Sequence, residues 1–287
     1  MRVVVTGATG GIGERISLRL AEAGHSVVLV GRAWERIDGA RRRIAGAVPG
    51  ADLGGEVADL SLAAEVRALA ERLEPLPDVV INNAAVIAPL DASTSEGRQL
   101  MLATNHLAPY VLLRILAERL GDRPARFVIV GAHPGGLRRT PVDLDDLECR
   151  NHRALGPVPS FRPFVGYGRT KNMNAMFGYA LAARLAKTKI TVNGGHPGIV
   201  DQTGLGRSST GLLRLFTVMI NPFTQSLDEG ADNPYWLATA PEVAGVTGKY
   251  YLRRRAVPTA DHTTDPARVE RLWDESARLV GLPADVS

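Results

Sequence analysis

Short apolar runs alternate with amphipathic segments along most of this chain. The β-branched run Arg2–Thr6 is typical of a buried strand, and a helical pattern of apolar residues follows it and ends at Gly24. Further strands are predicted at 27–30, within 52–58, and at 79–81, 127–130 and 190–193, with an amphipathic helix at about 63–73. Strands and helices that alternate in this order favour a parallel, doubly wound α/β sheet.

A glycine-rich turn joins the first predicted strand to the first predicted helix. Glycines let the backbone turn tightly and approach a pyrophosphate, whose charge is favoured at a helix N-terminus. Strand, turn and helix in this order are the context that supports a dinucleotide site, and a merely tight turn is the alternative interpretation. The residues predicted to bind the dinucleotide here are Gly7, Thr9, Gly10, Gly11, Ile12 and Gly13.

The second predicted strand is followed by Arg32. The residue at this position meets the adenosine ribose: an acidic side chain accepts a hydrogen bond from the 2′-hydroxyl, whereas an arginine accommodates a 2′-phosphate. Arg32 therefore favours NADP(H) over NAD(H), with Arg36 as a second contact. For Arg36, a solvated arginine that opens a helix is the alternative interpretation.

Composition narrows the class of protein. At 287 residues the chain can bury a substantial core in one domain. The net charge of +4 is small, and the arginine runs at 41–43 and 253–255 lack interleaved aromatic residues, so they are interpreted as solvated faces and no nucleic-acid partner is expected. The single cysteine, Cys149, argues against a disulfide framework, and no metal site is expected.

The sequence shows no targeting or membrane segment. No signal peptide precedes the first strand, which starts at Arg2. The longest apolar run considered, 212–220, is interrupted by Arg214 and is shorter than the ~20 residues that a membrane helix needs. We therefore expect a soluble cytoplasmic protein without a membrane span.

A tyrosine and a lysine stand four residues apart at Tyr167 and Lys171. On a helix they would share one face, one turn apart. A fixed ammonium favours the phenolate and would lower the pKa of a phenol from about 10. The pair is a candidate acid–base site, although such a spacing also arises by chance. At 82–85, two asparagines and two alanines follow a strand, where they could fix the backbone and admit a cofactor ring.

Six motifs, in order and at normal spacing, resemble the short-chain dehydrogenase/reductase family. They are TGATGGIG at 6–13, Asp59-Leu60, NNAA at 82–85, Asn105 within TNHLAPYVLL, the Tyr167/Lys171 pair, and His196-Pro197-Gly198 followed by Thr203. Segments at 228–231, 248–251 and 272–273 look like the branch that contains retinol dehydrogenases and related NADP(H)-using enzymes. The resemblance extends from residue 2 to about residue 282.

The resemblance implies one Rossmann-type domain over 1–287, with about seven parallel strands flanked by helices. It implies an NADP(H)-dependent oxidoreductase that interconverts a carbonyl and an alcohol. Substrate-binding loops are expected at about 133–166 and 201–225. The apolar segment at about 204–221 is a candidate lid, which favours a largely apolar small-molecule substrate, and a plain packed helix is the equal alternative. A homo-oligomer is also implied.

Residue roles follow from the same resemblance. Tyr167 would be the general acid/base, Lys171 would bind the nicotinamide ribose and lower the pKa of Tyr167, and Asn105 would hold a water that links Lys171 to solvent. For Asn105, a polar helix residue bonded to backbone is the alternative. The other implied cofactor contacts are Asp59 and Leu60 at the adenine, Asn83 and Ala84 at the ribose, and Pro197, Gly198, Val200 and Thr203 at the nicotinamide.

The end of the fifth predicted strand departs from the family pattern. A pair of serines is usual there, the second of which donates a hydrogen bond to the substrate oxygen, but this chain has Gly131 and Ala132. Loss of such a donor typically costs ~10²–10³ in rate. His133, Thr140, Ser160 or a water could replace it. Alternatively, Tyr167 catalyses a non-redox cyclisation, elimination or isomerisation, or the protein binds NADP(H) without turnover as a regulator.

Overall fold

One sheet of eight strands crosses the part of the chain that the computed structural model describes, residues 1–198 and 225–285. The strand order is β3-β2-β1-β4-β5-β6-β7-β8. Their bounds are β1 Arg2–Thr6, β2 Ser26–Gly31, β3 Leu53–Val57, β4 Val79–Asn82, β5 Ala125–Val130, β6 Ile190–His196, β7 Lys249–Leu252 and β8 Arg255–Ala256. The first seven strands are parallel, and β8 turns back antiparallel to β7.

Helices cover both faces of the sheet. Their bounds are α1 Gly11–Glu22, α2 Trp34–Ala47, α3 Ala63–Arg72, α4 Leu100–Leu120, α5 Pro134–Arg139, α6 Arg162–Arg184, α7 Leu227–Thr239, α8 Asp261–Thr264 and α9 Pro266–Val280. In β1, Val4 belongs to the core beneath α3, α4, α6 and α9, whereas Val3 and Val5 belong to the core beneath α1, α2 and α7. Burial on both faces explains why this strand is an unbroken apolar run.

The strand order reverses at β1, which pairs in parallel with β2 on one side and β4 on the other. In open α/β sheets, ligands bind in the crevice outside the carboxyl ends of the strands at this switch point. The glycine-rich turn and residues 82–85 follow β1 and β4, so the sheet brings the two predicted cofactor motifs to one crevice.

The predicted doubly wound α/β fold is confirmed, with one addition. Strands predicted at 2–6, 27–30, 79–81, 127–130 and 190–193 all form, and the poorly marked third strand is Leu53–Val57. Strand β6 extends to His196 because its glycines pair with β5 and β7, which weak local strand propensity does not reveal. The antiparallel β8 was not expected. The candidate lid at 204–221 lies outside the described residues.

Helix α4 corrects the expectation about membrane segments. Leu100–Leu120 is long and apolar enough to cross a membrane by length and composition, although polar residues interrupt its apolar run. Its most apolar window is 94% buried inside the domain. Burial of this extent is typical of a core helix, and among the described residues α4 is the single helix that meets the length and hydropathy criteria.

Candidate active site

The glycine-rich turn is closely packed against the loop that follows β4. Gly7 and Gly11 have φ angles of 64° and 56°, in the left-handed region that favours glycine. A Cβ on Gly13 would lie 2.3 Å from the Gly7 carbonyl oxygen and 2.5 Å from Asn83 Nδ2. No side chain that the structure describes caps the N-terminus of α1 at Gly10, so its first N–H groups are open to an anion.

Thr6 ties the two sides of this crevice together. Its Oγ1 accepts hydrogen bonds from the backbone N–H groups of Asn83 and Ala84 at 3.0 and 3.1 Å. In return, Asn83 Nδ2 donates to the Thr6 carbonyl oxygen at 3.0 Å. Thr6 was not among the predicted site residues, although its place as the first residue of the TGATGGIG motif is the signal that could have found it. We call residues 6–13, 83 and 84 the cofactor cradle.

Arg32 and Arg36 lie at the carboxyl end of β2, both exposed. Among the described residues, neither has a hydrogen-bond or ion-pair partner. Other arginines of α2 are engaged, since Arg43 binds Glu14 at 2.6 Å and Arg41 binds Asp38 at 3.2 Å. The two predicted phosphate-binding arginines are therefore free to meet an anion.

Asp59 and Leu60 follow β3, the strand next to β2. Leu60 is buried, while an Asp59 carboxylate oxygen accepts a hydrogen bond from the Ser61 N–H at 2.9 Å and fixes the loop. Both residues thus lie at the same end of the sheet as Arg32, where the resemblance assigns the adenine.

Asn105 lies in a π-helical segment of α4, Ala103–Leu107, a distortion that is frequent at functional sites. Its side chain is 1% exposed and bonds to Val86 in both directions, accepting from the N–H at 2.8 Å and donating to the carbonyl at 2.9 Å. The second hydrogen of the Asn105 side-chain amide is donated to Thr170 Oγ1 at 3.1 Å. Asn174 Nδ2 donates to the backbone carbonyl oxygen of Asn105 at 2.7 Å. These contacts correspond to the alternative interpretation, a polar helix residue bonded to backbone; the water-holding role stays a prediction.

Tyr167 and Lys171 share one face of α6, as predicted. Lys171 is 2% exposed, and its Nζ donates to the Val130 carbonyl oxygen at 2.9 Å and lies 5.7 Å from the centre of the Tyr167 ring. Burial lowers the pKa of Lys171 to about 8 and raises the pKa of Tyr167 above its ordinary value. The expected lowering of the tyrosine pKa by Lys171 is therefore wrong for the ligand-free protein, because desolvation of the phenol is the dominant cause.

Tyr250, which the sequence did not single out as a site residue, fills the space beside the end of β5. Its hydroxyl donates a hydrogen bond to the Ala132 carbonyl oxygen, and burial raises its pKa. A Cβ on Gly131 would lie 2.2 Å from the Tyr250 hydroxyl oxygen, and one on Gly194 would lie 2.8 Å from the ring. Steric exclusion by Tyr250 therefore explains why position 131 is a glycine. A serine there would collide with Tyr250.

The three candidate replacement donors occupy different places. His133 follows Ala132 directly; it is exposed, and its ring lies edge to face with His196 at 5.5 Å between ring centres. The Thr140 hydroxyl donates to the Gly136 carbonyl oxygen at 3.0 Å and is thereby engaged. Ser160 lies in the short 3₁₀ helix Pro159–Phe161, on the segment that leads into α6.

The last residue of β6, His196, is buried beside these groups. Burial lowers its pKa to about 4, with neighbouring His133 and Lys171 contributing in the same direction. Pro197 and Gly198 follow at the carboxyl end of the sheet, as predicted, whereas Val200 and Thr203 lie outside the described residues. We call residues 132, 133, 167, 171, 196 and 250 the reaction end.

Relatives with assigned names match this chain over nearly its whole length. Residues 1–138 match the family described as short chain dehydrogenase. A Streptomyces sp. (strain C5) protein named as a candidate daunorubicin C-13 ketoreductase is 36% identical over 285 residues, covering 97% of this chain and 92% of that protein. Retinol dehydrogenase 13 of Homo sapiens is 31% identical over 297 residues, covering 98% of this chain and 85% of that one.

Solved structures with the same fold include a Mycobacterium paratuberculosis protein without an assigned function. It has a TM-score of 0.75 at 24% identity and covers 100% of this chain and 94% of its own. A short-chain dehydrogenase from Sphingobium yanoikuyae, in complex with NADPH, has a TM-score of 0.61 at 25% identity over 80% of this chain and 81% of its own. The chain belongs to the short-chain dehydrogenase/reductase family and is an oxidoreductase whose fold binds a nicotinamide cofactor.

Proposed function

We propose that this protein is an NADP(H)-dependent reductase that converts a ketone or aldehyde of a largely apolar small molecule into an alcohol, with Tyr167 as its general acid. The observation that carries the proposal is the placement of Tyr167 and Lys171 on one face of α6, with Lys171 bound to the last residue of β5 at 2.9 Å. That placement puts a proton donor at the carboxyl end of the sheet, on the same side as the cofactor cradle.

The protonation state of Tyr167 suits reduction. A phenol whose pKa is raised by burial keeps its proton at neutral pH and can give it to a carbonyl oxygen that gains negative charge. When bound, the nicotinamide supplies the hydride to the carbonyl carbon. Lys171 holds the nicotinamide ribose and stabilises the tyrosinate that remains after proton transfer, until solvent returns the proton.

The preference for NADP(H) is supported by Arg32 and Arg36. Two exposed guanidinium groups at the end of β2, without partners among residues 1–198 and 225–285, can bind a 2′-phosphate bidentately, which NAD(H) lacks. A related dehydrogenase has been solved with NADPH, which agrees with this choice.

An apolar substrate is supported by the relatives. The name of one relative refers to retinol, a largely apolar alcohol, and that of another refers to daunorubicin. In this chain, apolar side chains including Leu90 and Met101 pack near Gly166, directly before Tyr167 in the sequence. We infer that the segment at 133–166 forms part of the wall against which such a substrate lies.

A non-redox enzyme that uses Tyr167 is the second candidate, because Ala132 offers no side-chain donor. It predicts product formation without net oxidation of NADPH. An NADP(H)-binding regulator is the third candidate, and it predicts that a Tyr167→Phe variant binds cofactor and retains biological activity.

The deciding experiment measures NADPH oxidation by purified protein with a panel of apolar ketones and aldehydes. Tyr167→Phe is expected to lower kcat by about 10²–10⁴ while the Kd for NADPH stays unchanged, because it removes the transferred proton and leaves the cradle intact. Absence of cofactor oxidation with every substrate in the panel would contradict the reductase, and equal turnover by Tyr167→Phe would contradict the role of Tyr167.

A further inference from the structure

His133 occupies the first position beyond Ala132 at the carboxyl end of β5. It is exposed, whereas its neighbour in space, His196, is 8% exposed. The two rings lie edge to face, with centres 5.5 Å apart and planes at 87°. Since Lys171 Nζ donates to the Val130 carbonyl oxygen at 2.9 Å, the exposed imidazole and the acid–base lysine both lie at the end of β5.

The proton on the His133 ring is placed by its backbone partner. Nδ1 accepts a hydrogen bond from the Gly135 N–H at 3.1 Å and thereby caps the N-terminus of α5. In a neutral imidazole, one nitrogen accepts and the other carries the proton. The cap therefore fixes the tautomer with the proton on Nε2, which is left as a hydrogen-bond donor without a partner among the described residues.

Three other polar groups near Ala132 are already engaged. The Tyr250 hydroxyl donates to the Ala132 carbonyl oxygen, and the Thr140 hydroxyl donates to the Gly136 carbonyl oxygen at 3.0 Å. Lys171 Nζ donates to the Val130 carbonyl oxygen at 2.9 Å. Nδ1 of His196 also lacks a partner among the described residues, but it is buried. The free donor on an exposed side chain is therefore His133 Nε2–H, whose hydrogen is already oriented by the cap.

We propose that His133 donates a hydrogen bond from Nε2 to the oxygen of the substrate carbonyl, the task for which Ala132 has no group. The proposal rests on the proposed reductase function. Tyr167 supplies the proton that is transferred, and His133 keeps its own proton while it stabilises the negative charge that develops on the oxygen. In this protein, the residue after Ala132 therefore supplies the hydrogen-bond donor.

Two substitutions separate this donor from the helix cap. His133→Asn places an amide oxygen near the position of Nδ1, so the cap of α5 is retained, whereas its amide nitrogen lies near the position of Cδ2 and leaves no donor at the position of Nε2. His133→Gln places an amide N–H near the position of Nε2, so the donor is retained and the cap is weakened. We expect kcat/KM to fall about 10²-fold in His133→Asn and less than about 10-fold in His133→Gln, with unchanged Kd for NADPH.

A rescue variant adds a second, independent readout. In the double variant Ala132→Ser/His133→Asn, the serine hydroxyl is expected to restore at least about 10-fold of the lost kcat/KM, since it supplies a donor one residue away. Melting temperatures are measured for every variant, and His133→Asn is expected to match the wild type.

Three results would overturn the proposal while the reductase function stands, provided that the wild-type protein turns over substrate. They are unchanged kcat/KM in His133→Asn, no rescue by the serine, and equal losses in both single variants together with lowered melting temperatures, which would assign His133 to capping alone. Absence of turnover in the wild-type protein would instead contradict the reductase function itself.

Discussion

At the carboxyl ends of β1 and β4, the cofactor cradle is built from backbone groups and glycines, whereas the reaction end beside β5 and β6 is built from tyrosine and histidine rings and an ammonium. In the cradle, a Cβ on Gly13 would lie 2.3 Å from a backbone oxygen that cannot move away. Next to the reaction end, a Cβ on Gly131 would lie 2.2 Å from the hydroxyl oxygen of the Tyr250 side chain.

The two regions differ in how they tolerate substitution of a residue. The cradle depends on the absence of a side chain at Gly13. Any side chain added there would displace the backbone that a pyrophosphate must approach. The reaction end depends on side chains that fill the available space. The phenol of Tyr250 occupies the space that a side chain at position 131 would need. Exchange of groups within the reaction end can therefore leave the fold and the cofactor site unchanged while the hydrogen-bond donor to the substrate changes.

The largest expected effect is in the cradle. Gly13→Ala is expected to abolish detectable NADPH binding and to lower the free energy of unfolding by about 1–3 kcal/mol or more, because the methyl group overlaps the Gly7 carbonyl and Asn83. Calorimetric titration and denaturant unfolding measure the two effects. Gly10→Ala is the control for stability, since a Cβ there meets nothing within 4 Å. Equal unfolding midpoints of Gly13→Ala and the wild type would contradict the steric account.

The same contrast explains what the sequence could predict. The cradle is recognisable because residues 6–13 are contiguous and their spacing alone encodes a turn before a helix. Tyr167 and Lys171 are recognisable because one helical turn separates them. Tyr250, in contrast, meets Ala132 across 118 residues of sequence, and His196 meets His133 only because β6 lies beside β5.

The sequence also could not predict how deeply each ionisable side chain is buried. From charge alone, Lys171 should lower the pKa of Tyr167, but Lys171 is buried and Tyr167 is half-buried, and desolvation raises the pKa of the phenol. The sequence also left Arg32 and Arg36 open between solvated faces and ligand contacts. Their lack of hydrogen-bond and ion-pair partners in the described part of the chain is a property of the folded surface that no pattern of residues specifies.

Burial of Lys171 should make stability depend on pH. Its pKa of about 8 in the folded chain lies below the ordinary 10.5, so between these pH values the unfolded chain binds more protons and stability rises with pH. Below pH 8 the full cost of burying the charge remains, at most about 3 kcal/mol. Lys171→Met is therefore expected to be more stable than the wild type at pH 7, and the difference should shrink towards pH 10. A difference that stays constant from pH 7 to 10 in denaturant unfolding would refute this account.

Arg32 tests the adenosine side of the cofactor site with a smaller change. Arg32→Ala is expected to raise the Kd for NADPH by about 10- to 100-fold and to leave the Kd for NADH unchanged, because a hydrogen-bonded contact to a charged phosphate is worth about 1.5–3 kcal/mol. Arg42→Ala is the matched control, since Arg42 is also exposed on α2 and lies further from the end of β2. Titration of both cofactors into the three proteins gives the comparison. Equal losses for NADPH and NADH would assign Arg32 to general charge attraction.

The smallest effect, and the one most specific to the reaction end, is the coupling between Gly131 and Tyr250. Gly131→Ser is expected to destabilise the fold by about 1–3 kcal/mol, because its Cβ would overlap the tyrosine hydroxyl oxygen at 2.2 Å. Tyr250→Phe removes that oxygen and its hydrogen bond to Ala132, at a cost of about 1 kcal/mol.

In the double variant, the serine at 131 meets ring carbons at 3.1 and 3.2 Å instead of the hydroxyl, so the total loss should be smaller than the sum of the single losses by about 1 kcal/mol. Denaturant unfolding of the four proteins of this cycle measures the coupling. Additive losses would mean that Gly131 is glycine for a reason other than Tyr250. A loss smaller than additive would show that the absence of a side chain at Gly131 and the phenol of Tyr250 are two parts of one packing solution.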